Sequence, residues 1–258
     1  MIHLFKKIRQ QLIKDNKLQK YLAYAVGEVL LVVIGIVLAL QFSNWNQKSN
    51  EIKKEIWYLD NIANDMFNQQ ESLKYLKTYY DDVLHISKDI LTDYKRTMSF
   101  KQVDSLSLKL NQLMIYNTFP NIDNTYKELV SSGQVALIEN DSLVLNIIDF
   151  YIYNNELEKI FSVNQKELFY GEIYPVLNKY AAIDLLPVLD NEDLVYEDKT
   201  ITDYLSKILE TPKNKLELTN AIKNKILVIS DYKVNVDESL KMINNMIIAI
   251  DNEIALLE

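Results

Sequence analysis

The stretch from Tyr21 to Asn46, YLAYAVGEVLLVVIGIVLALQFSNWN, constrains this chain more than any other. Its apolar run, Tyr21 to Phe42, holds one ionised side chain, Glu28, and no proline. A run of about 20 apolar residues is what a helix needs to cross ~30 Å of hydrocarbon. In lipid the backbone must satisfy its own hydrogen bonds, so a single span has to be helical. Tyr21 and Tyr24 stand at one end and Trp45 at the other. Tyr24 to Trp45 is ~32 Å along a helix, the spacing of aromatic belts at two membrane interfaces. A cleaved signal peptide would have a shorter apolar core followed by a small-x-small cleavage site. A buried core helix is the other alternative, and the charge distribution speaks against it.

That distribution is lopsided. Residues 1–20 carry Lys6, Lys7, Arg9, Lys14, Lys17 and Lys20 against Asp15, a net of +5, while the whole chain is −8. The remainder is therefore strongly acidic. The positive-inside rule places the N-terminus in the cytoplasm and the large acidic part outside. Ile2, Phe5, Ile8 and Leu12 share one helical face, with Lys6, Lys7, Arg9 and Lys14 largely off it. Such a segment lies on a bilayer with anionic headgroups. Nucleic-acid binding is the rival reading of a basic cluster, but beside an apolar span the cluster serves topology, and no nucleic-acid partner is expected.

Glu28 is the most informative single residue. It lies ~10 Å beyond Tyr21, where a lone acid costs about 2–3 kcal/mol unless it is protonated, paired or turned to a protein interface. On a helical wheel it shares a face with Val32, Gly35 and Ala39, and small residues let membrane helices approach closely. Three readings stay open. One is a helix–helix interface, in a homo-oligomer or with another membrane protein. Another is an acid tolerated near the inner headgroups beside Lys20, and the last is a proton-carrying group.

Four glycines and four prolines in 258 residues leave few breakers, which predicts an all-α fold. No cysteine is present, so neither a disulfide framework nor a thiol nucleophile is available. Between Gly35 and Pro120 there is no breaker at all. Ile52, Ile56, Leu59, Ile62, Ala63, Met66, Leu73, Leu76, Tyr80, Val83 and Ile90 recur at three- and four-residue steps there. This predicts a long helix over roughly 47–97, entered directly from the anchor as a stalk. Ser99 with Gln102 has capping-box spacing and predicts a short helix to about Tyr116; Thr125 with Glu128 predicts another. Gly133 suits the left-handed residue just past that helix. The Glu128–Gly133 block reads as a helix corner, or as a loop for a ligand or partner. Asp141 is expected to cap a helix to about Tyr174, ended by Pro175. The acidic stretch 181–199 reads as a solvated loop, lacking the D-x-D-x-D-G pattern of a calcium site. Thr211-Pro212 opens a helix over 212–257, with Ile222, Ile226, Ile229, Val236, Leu240, Ile243, Ile247, Ile250, Ile254 and Leu257 in heptad-like spacing. The two long helices are similar in length and are expected to pair antiparallel.

The anchor also carries a resemblance. Gly27, Glu28, Leu31, Val32, Gly35, Ile36, Ala39, Leu40, Gln41, Asn44, Trp45 and Asn46 spell GE-x-x-LVxxGIxxALQ-x-x-NWN. A second stretch, Thr125 to Gly133, is followed by Leu137-Ile138-Glu139-Asn140 and a helix carrying Phe150-Tyr151. Both resemble a family of uncharacterised bacterial single-pass membrane proteins. The resemblance implies a topology and no activity.

Little in the sequence points to catalysis. The two histidines, His3 and His85, fall on opposite sides of the expected membrane, so no His/Cys metal set and no cofactor is expected. No Ser-His-Asp pattern and no glycine-rich phosphate loop is recognisable. Asp81, Asp82, Asp89 and Asp93, interleaved with Lys88 and Lys95, read as a solvated helix face. The expected organisation is a basic amphipathic segment over 1–17, a transmembrane anchor with polar collar over 18–46, and a periplasmic antiparallel helical bundle over 47–258. The expected role is a non-enzymatic interaction protein or accessory subunit, assembled through Glu28, Val32, Gly35 and Ala39. The alternative is a periplasmic small-molecule sensor relaying through the stalk. An enzyme built on paired carboxylates is a third possibility. A closed aromatic pocket would favour the sensor and a solid core the scaffold; two acids sharing a cleft would favour the enzyme.

Overall fold

With no proline in it and no glycine beyond Gly35, one helix, α1 (Leu18–Thr97), runs through the anchor, the collar and the apolar stripe beyond. These assignments come from a computed structural model that describes residues 18–183 and 199–258. The basic segment with Lys6, Lys7, Arg9 and Lys14, and residues 184–198 of the acidic loop, lie outside the described residues. Every regular element among those described is helical: α2 (Leu106–Leu113), α3 (Asn124–Ser131), α4 (Asp141–Asn164), α5 (Tyr174–Tyr180), α6 (Lys199–Leu209) and α7 (Pro212–Leu257). A nine-residue π-helix, Gln165–Ile173, joins α4 to α5. The chain divides into two compact units, Met1–Trp57 and Tyr58–Glu258, and α1 contributes residues to both.

In the first unit, α1 is apolar all round from Val29 to Leu40. Every residue from Val29 to Lys48 is exposed. Among the described residues this is the one helix long and apolar enough to cross a membrane by length and composition, and none of its most apolar window is buried.

The second unit closes around one core. α1 buries Leu59, Ile62, Met66, Gln69, Leu73, Leu76, Tyr80, Val83, Ser87 and Ile90, an unbroken alternation of three- and four-residue steps. α7 does the same with Leu218, Ile222, Lys225, Ile229, Tyr232, Val236, Ser239, Ile243, Met246 and Ile250. Such a repeat keeps one face of a helix against a partner over many turns. The partners run antiparallel: Gln70 meets Asn244 at 2.6 Å, Lys77 pairs with Asp237, and Asp81 pairs with Lys233. α4 supplies a third stripe through Leu143, Ile147, Phe150, Asn154, Leu157 and Phe161. Full burial of each large apolar side chain contributes roughly 1.5–3 kcal/mol before chain entropy is charged against it.

Several local expectations change in the folded chain. Ser99 forms no capping box; its hydroxyl donates instead to Glu210 Oε1 at 2.6 Å, and only a 3₁₀ turn, Phe100–Gln102, follows. The helix expected to reach Tyr116 spans only α2. At the start of α3 the acceptor for the Thr125 amide is Asp65 Oδ2 on α1, 3.0 Å away, so the cap comes from another helix. α4 is capped one residue earlier than expected, by Asn140 Oδ1 accepting from the Leu143 amide at 3.1 Å. Pro175 does not end the helical run. It sits in the first turn of α5, and the wide turns of the π-helix carry the chain past a residue that lacks an amide hydrogen and crowds the preceding turn. Gly133 is left-handed, at φ 68°, as its place after α3 requires, and Thr211 accepts from the Asn214 amide at the head of α7.

Candidate functional site: an exposed apolar face and a buried lysine

Glu28, Val32, Gly35 and Ala39 follow one another at helical spacing along α1, so the fold keeps them on one face. Val32 and Ala39 are exposed, Glu28 is half-buried, and a methyl group placed on Gly35 would meet nothing within 4 Å. A second helix could therefore approach this line closely, with Glu28 at one end. Trp45 is exposed and lies 5.9 Å from the Phe42 ring, forming an aromatic edge past the apolar run. Tyr21 and Tyr24 belong to α1, but their side chains lie outside the described residues.

The second unit holds polar groups where its seams call for apolar ones. Gln69, Asn154 and Ser239, each fully buried, meet in one layer across three helices. Gln69 Nε2 donates to Asn154 Oδ1 at 3.1 Å, Ser239 Oγ donates to the same oxygen at 3.4 Å, and Asn154 Nδ2 donates to the Phe150 carbonyl at 2.9 Å. Gln69 Oε1 then accepts from the Ile122 amide at 3.2 Å, tying the connection before α3 to the core. A layer satisfied this way penalises any slip of register, because a slip would leave donors buried and unpaired.

Lys225 is the less expected group. It is 1 % exposed, and the rest of its seam is mainly apolar. Its Nζ donates to the Ile115 carbonyl at 3.2 Å, and the Tyr79 hydroxyl donates to that same oxygen at 2.6 Å. The amine lies 4.1 Å from the centre of the Phe169 ring and 5.7 Å from that of Tyr116. Burial pulls its pKa down to about 7. Around it aromatic rings pack on one another. Phe161 stacks on Tyr232 at 3.7 Å and Tyr116 meets Phe169 at 5.1 Å. The place where an aromatic pocket could hold a ligand's cation is taken by the chain's own amine. A groove of about 200 Å³ runs outside it, lined by Leu168, Glu172, Ile173, Asn224, Leu227 and Val228.

The acidic face of α1 is partly tied down. Asp81 pairs with Lys233, and Asp93 with Arg96 at 3.0 Å. Lys109 donates to Asp89 at 2.6 Å and holds that carboxyl below its usual range. Hydrogen bonds from Tyr180 and Lys179 do the same for Glu217. These shifts favour ionised carboxylates, the opposite of what a general acid needs. His85 is exposed, His3 lies outside the described residues, and no group of three potential ligands forms a metal site among those described.

Sequence reasoning on the seams passed over Lys225, Gln69, Asn154 and Ser239 because it counted only apolar positions. For Gln69 and Asn154 the available signal was phase, an empty step in a three-four alternation; at Lys225 and Ser239 the expected seam ran instead through Ile226 and Leu240, which the fold leaves only partly buried.

A family model described as Family of unknown function (DUF6090) matches residues 28–180, more than half of the chain. No curated protein and no solved structure matches it.

Proposed function

We propose that this chain, which belongs to the family of unknown function DUF6090, is a single-pass bacterial inner-membrane protein that acts by assembly rather than by catalysis. In this reading residues 18–46 are the anchor, the N-terminus is cytoplasmic, and the residues from 47 onward form a periplasmic helical domain. The protein is a scaffold or an accessory subunit, joined to a second copy or to another membrane protein through Glu28, Val32, Gly35 and Ala39. One observation carries the reading: α1 exposes apolar side chains around its whole circumference from Val29 to Leu40, beside a single acid on a line of small residues. An all-round apolar helix is stable in lipid or between other helices, not in water. The chain's own Lys225 amine, seated on the Phe169 ring where a ligand's cation would sit, weighs towards a scaffold and away from a small-molecule sensor.

The test is the size and composition of the detergent-solubilised complex for wild type, Glu28→Leu and Gly35→Ile. A defined oligomer or constant partner should be lost in both variants while membrane insertion is kept. Unchanged particle size in both would overturn assembly through this face.

A further inference from the structure

Two unusual features of the second unit coincide. One is the π-helix Gln165–Ile173, nine residues long where such segments are ordinarily a single turn, and often found at working parts of proteins. The other is Lys225, whose amine rests on the ring of Phe169 at the middle of that segment. Lys225 also grips the Ile115 carbonyl, so one side chain ties together α7, the π-helix and the connection that follows α2.

The surroundings bury the amine with no salt bridge to it among the described residues. The amine touches the Ile115 carbonyl and the rings of Phe169 and Tyr116, and the Tyr79 hydroxyl shares that carbonyl; Tyr80, Tyr170, Tyr174 and Tyr232 belong to the same run of ring contacts. Burial pushes the hydroxyls of Tyr79, Tyr80, Tyr116 and Tyr232 up, so they carry no negative charge at neutral pH. The carboxylates of the packed elements, Asp82 on α1, Glu167 and Glu172 on the π-helix, and Asp231 on α7, are on exposed faces. The contact with the Phe169 ring at 4.1 Å and one carbonyl offset only part of the cost of taking an ammonium out of water. A charged Lys225 therefore has reason to move. The groove holding Glu172 and Asn224 borders the same stretch of π-helix and the same turn of α7.

We propose that Lys225 and the π-helix form a proton-operated latch. The neutral amine fills the Phe169–Tyr116 box and holds Ile115; when it takes a proton from solvent, the side chain leaves for the groove at Glu172, and Gln165–Ile173 relaxes. The lowered pKa of the amine, about 7, puts this transition in the range a cell envelope meets. The inference does not depend on how the first unit assembles.

Hydrogen exchange of the full chain in detergent, between about pH 5.5 and 9 and corrected for the intrinsic pH dependence of amide exchange, tests it. Protection across 166–174 should rise about tenfold from about pH 6 to 8 in wild type. It should be flat in Lys225→Met and in Lys225→Gln, and low throughout in Lys225→Arg. Glu172→Gln, which removes the acceptor of the swung-out ammonium, should move the wild-type midpoint down. A flat wild-type profile, or the same rise in either neutral variant, overturns the latch. Should Lys225→Met fail to fold, Lys225→Gln keeps a donor for Ile115, and the wild-type profile remains decisive by itself.

Discussion

The two units use the same helix in opposite ways. From Val29 to Leu40, α1 is apolar on every side, and its most apolar window buries nothing. From Leu59 onward it is polar on most sides and buries a single stripe. The stripe finds its complement within the chain, on α4 and α7, and tolerates a polar group such as Gln69 because the Asn154 side chain and the Ile122 backbone amide satisfy it. The all-round apolar segment has no such complement among the described residues. Amount of apolar surface is thus a poor guide to what a helix packs against; its angular distribution decides.

The sharpest blow to the second unit is Phe161→Ala. Phe161 is 1 % exposed and stacks on Tyr232. Its loss should cost about 3–5 kcal/mol, read from denaturant unfolding of the full chain. Ile34→Lys strikes the other side of the comparison. Under the proposed anchoring it should cost about 3 kcal/mol of insertion, seen as protein lost from the membrane fraction. If that fraction is unchanged, the exposed apolar helix does not sit in lipid.

Lys225→Met should stabilise the second unit by about 2–3 kcal/mol at pH 7, less than the full pKa shift implies because the Ile115 contact is lost. The sign follows from proton linkage. The folded amine titrates at about 7 against 10.5 for an exposed lysine, so between these values the unfolded chain binds more protons. Wild-type stability therefore rises as pH climbs from 7 towards 10.5, an increase that the methionine variant lacks. The smallest effect belongs to the surface. Removing the Lys77–Asp237 pair, whose side chains are 40 % and 45 % exposed, should change stability by less than about 1 kcal/mol. A double-mutant cycle measures it, and a larger coupling would mean that surface charge, and not the seam, sets the α1–α7 register.

Much of the helical framework was readable in advance. The lack of breakers between Gly35 and Pro120 foretold one long helix, and Thr211-Pro212 marked the start of α7. The caps were less readable. Ser99 had the spacing for a local bond, yet Glu210 took its hydroxyl, and Asp65 displaced any local partner at Thr125. Capping by spacing assumes that the nearest acceptor wins, and in a packed core a distant carboxylate can be nearer in space. The Glu28 face was readable as a line of small residues beside an acid, because helical phase alone places it. The Lys225 site was not, since its meaning depends on Phe169, Tyr116 and Ile115, which local pattern does not bring to it.

By itself, then, the sequence determined that the chain is helical, that α1 runs unbroken beyond Gly35, where α7 begins, and that one segment is apolar on all sides. Those properties rest on contacts within a few residues of one another, on breakers and on angular phase. Only the tertiary structure decided that Gln69, Asn154 and Ser239 share a layer, that Lys225 is sealed among aromatic rings, and that a π-helix carries the chain past Pro175. Gln69 and Asn154 are 85 residues apart, as are Asn154 and Ser239. Bonds over such separations depend on how whole helices choose their register, and that choice is made by the packed core as a unit.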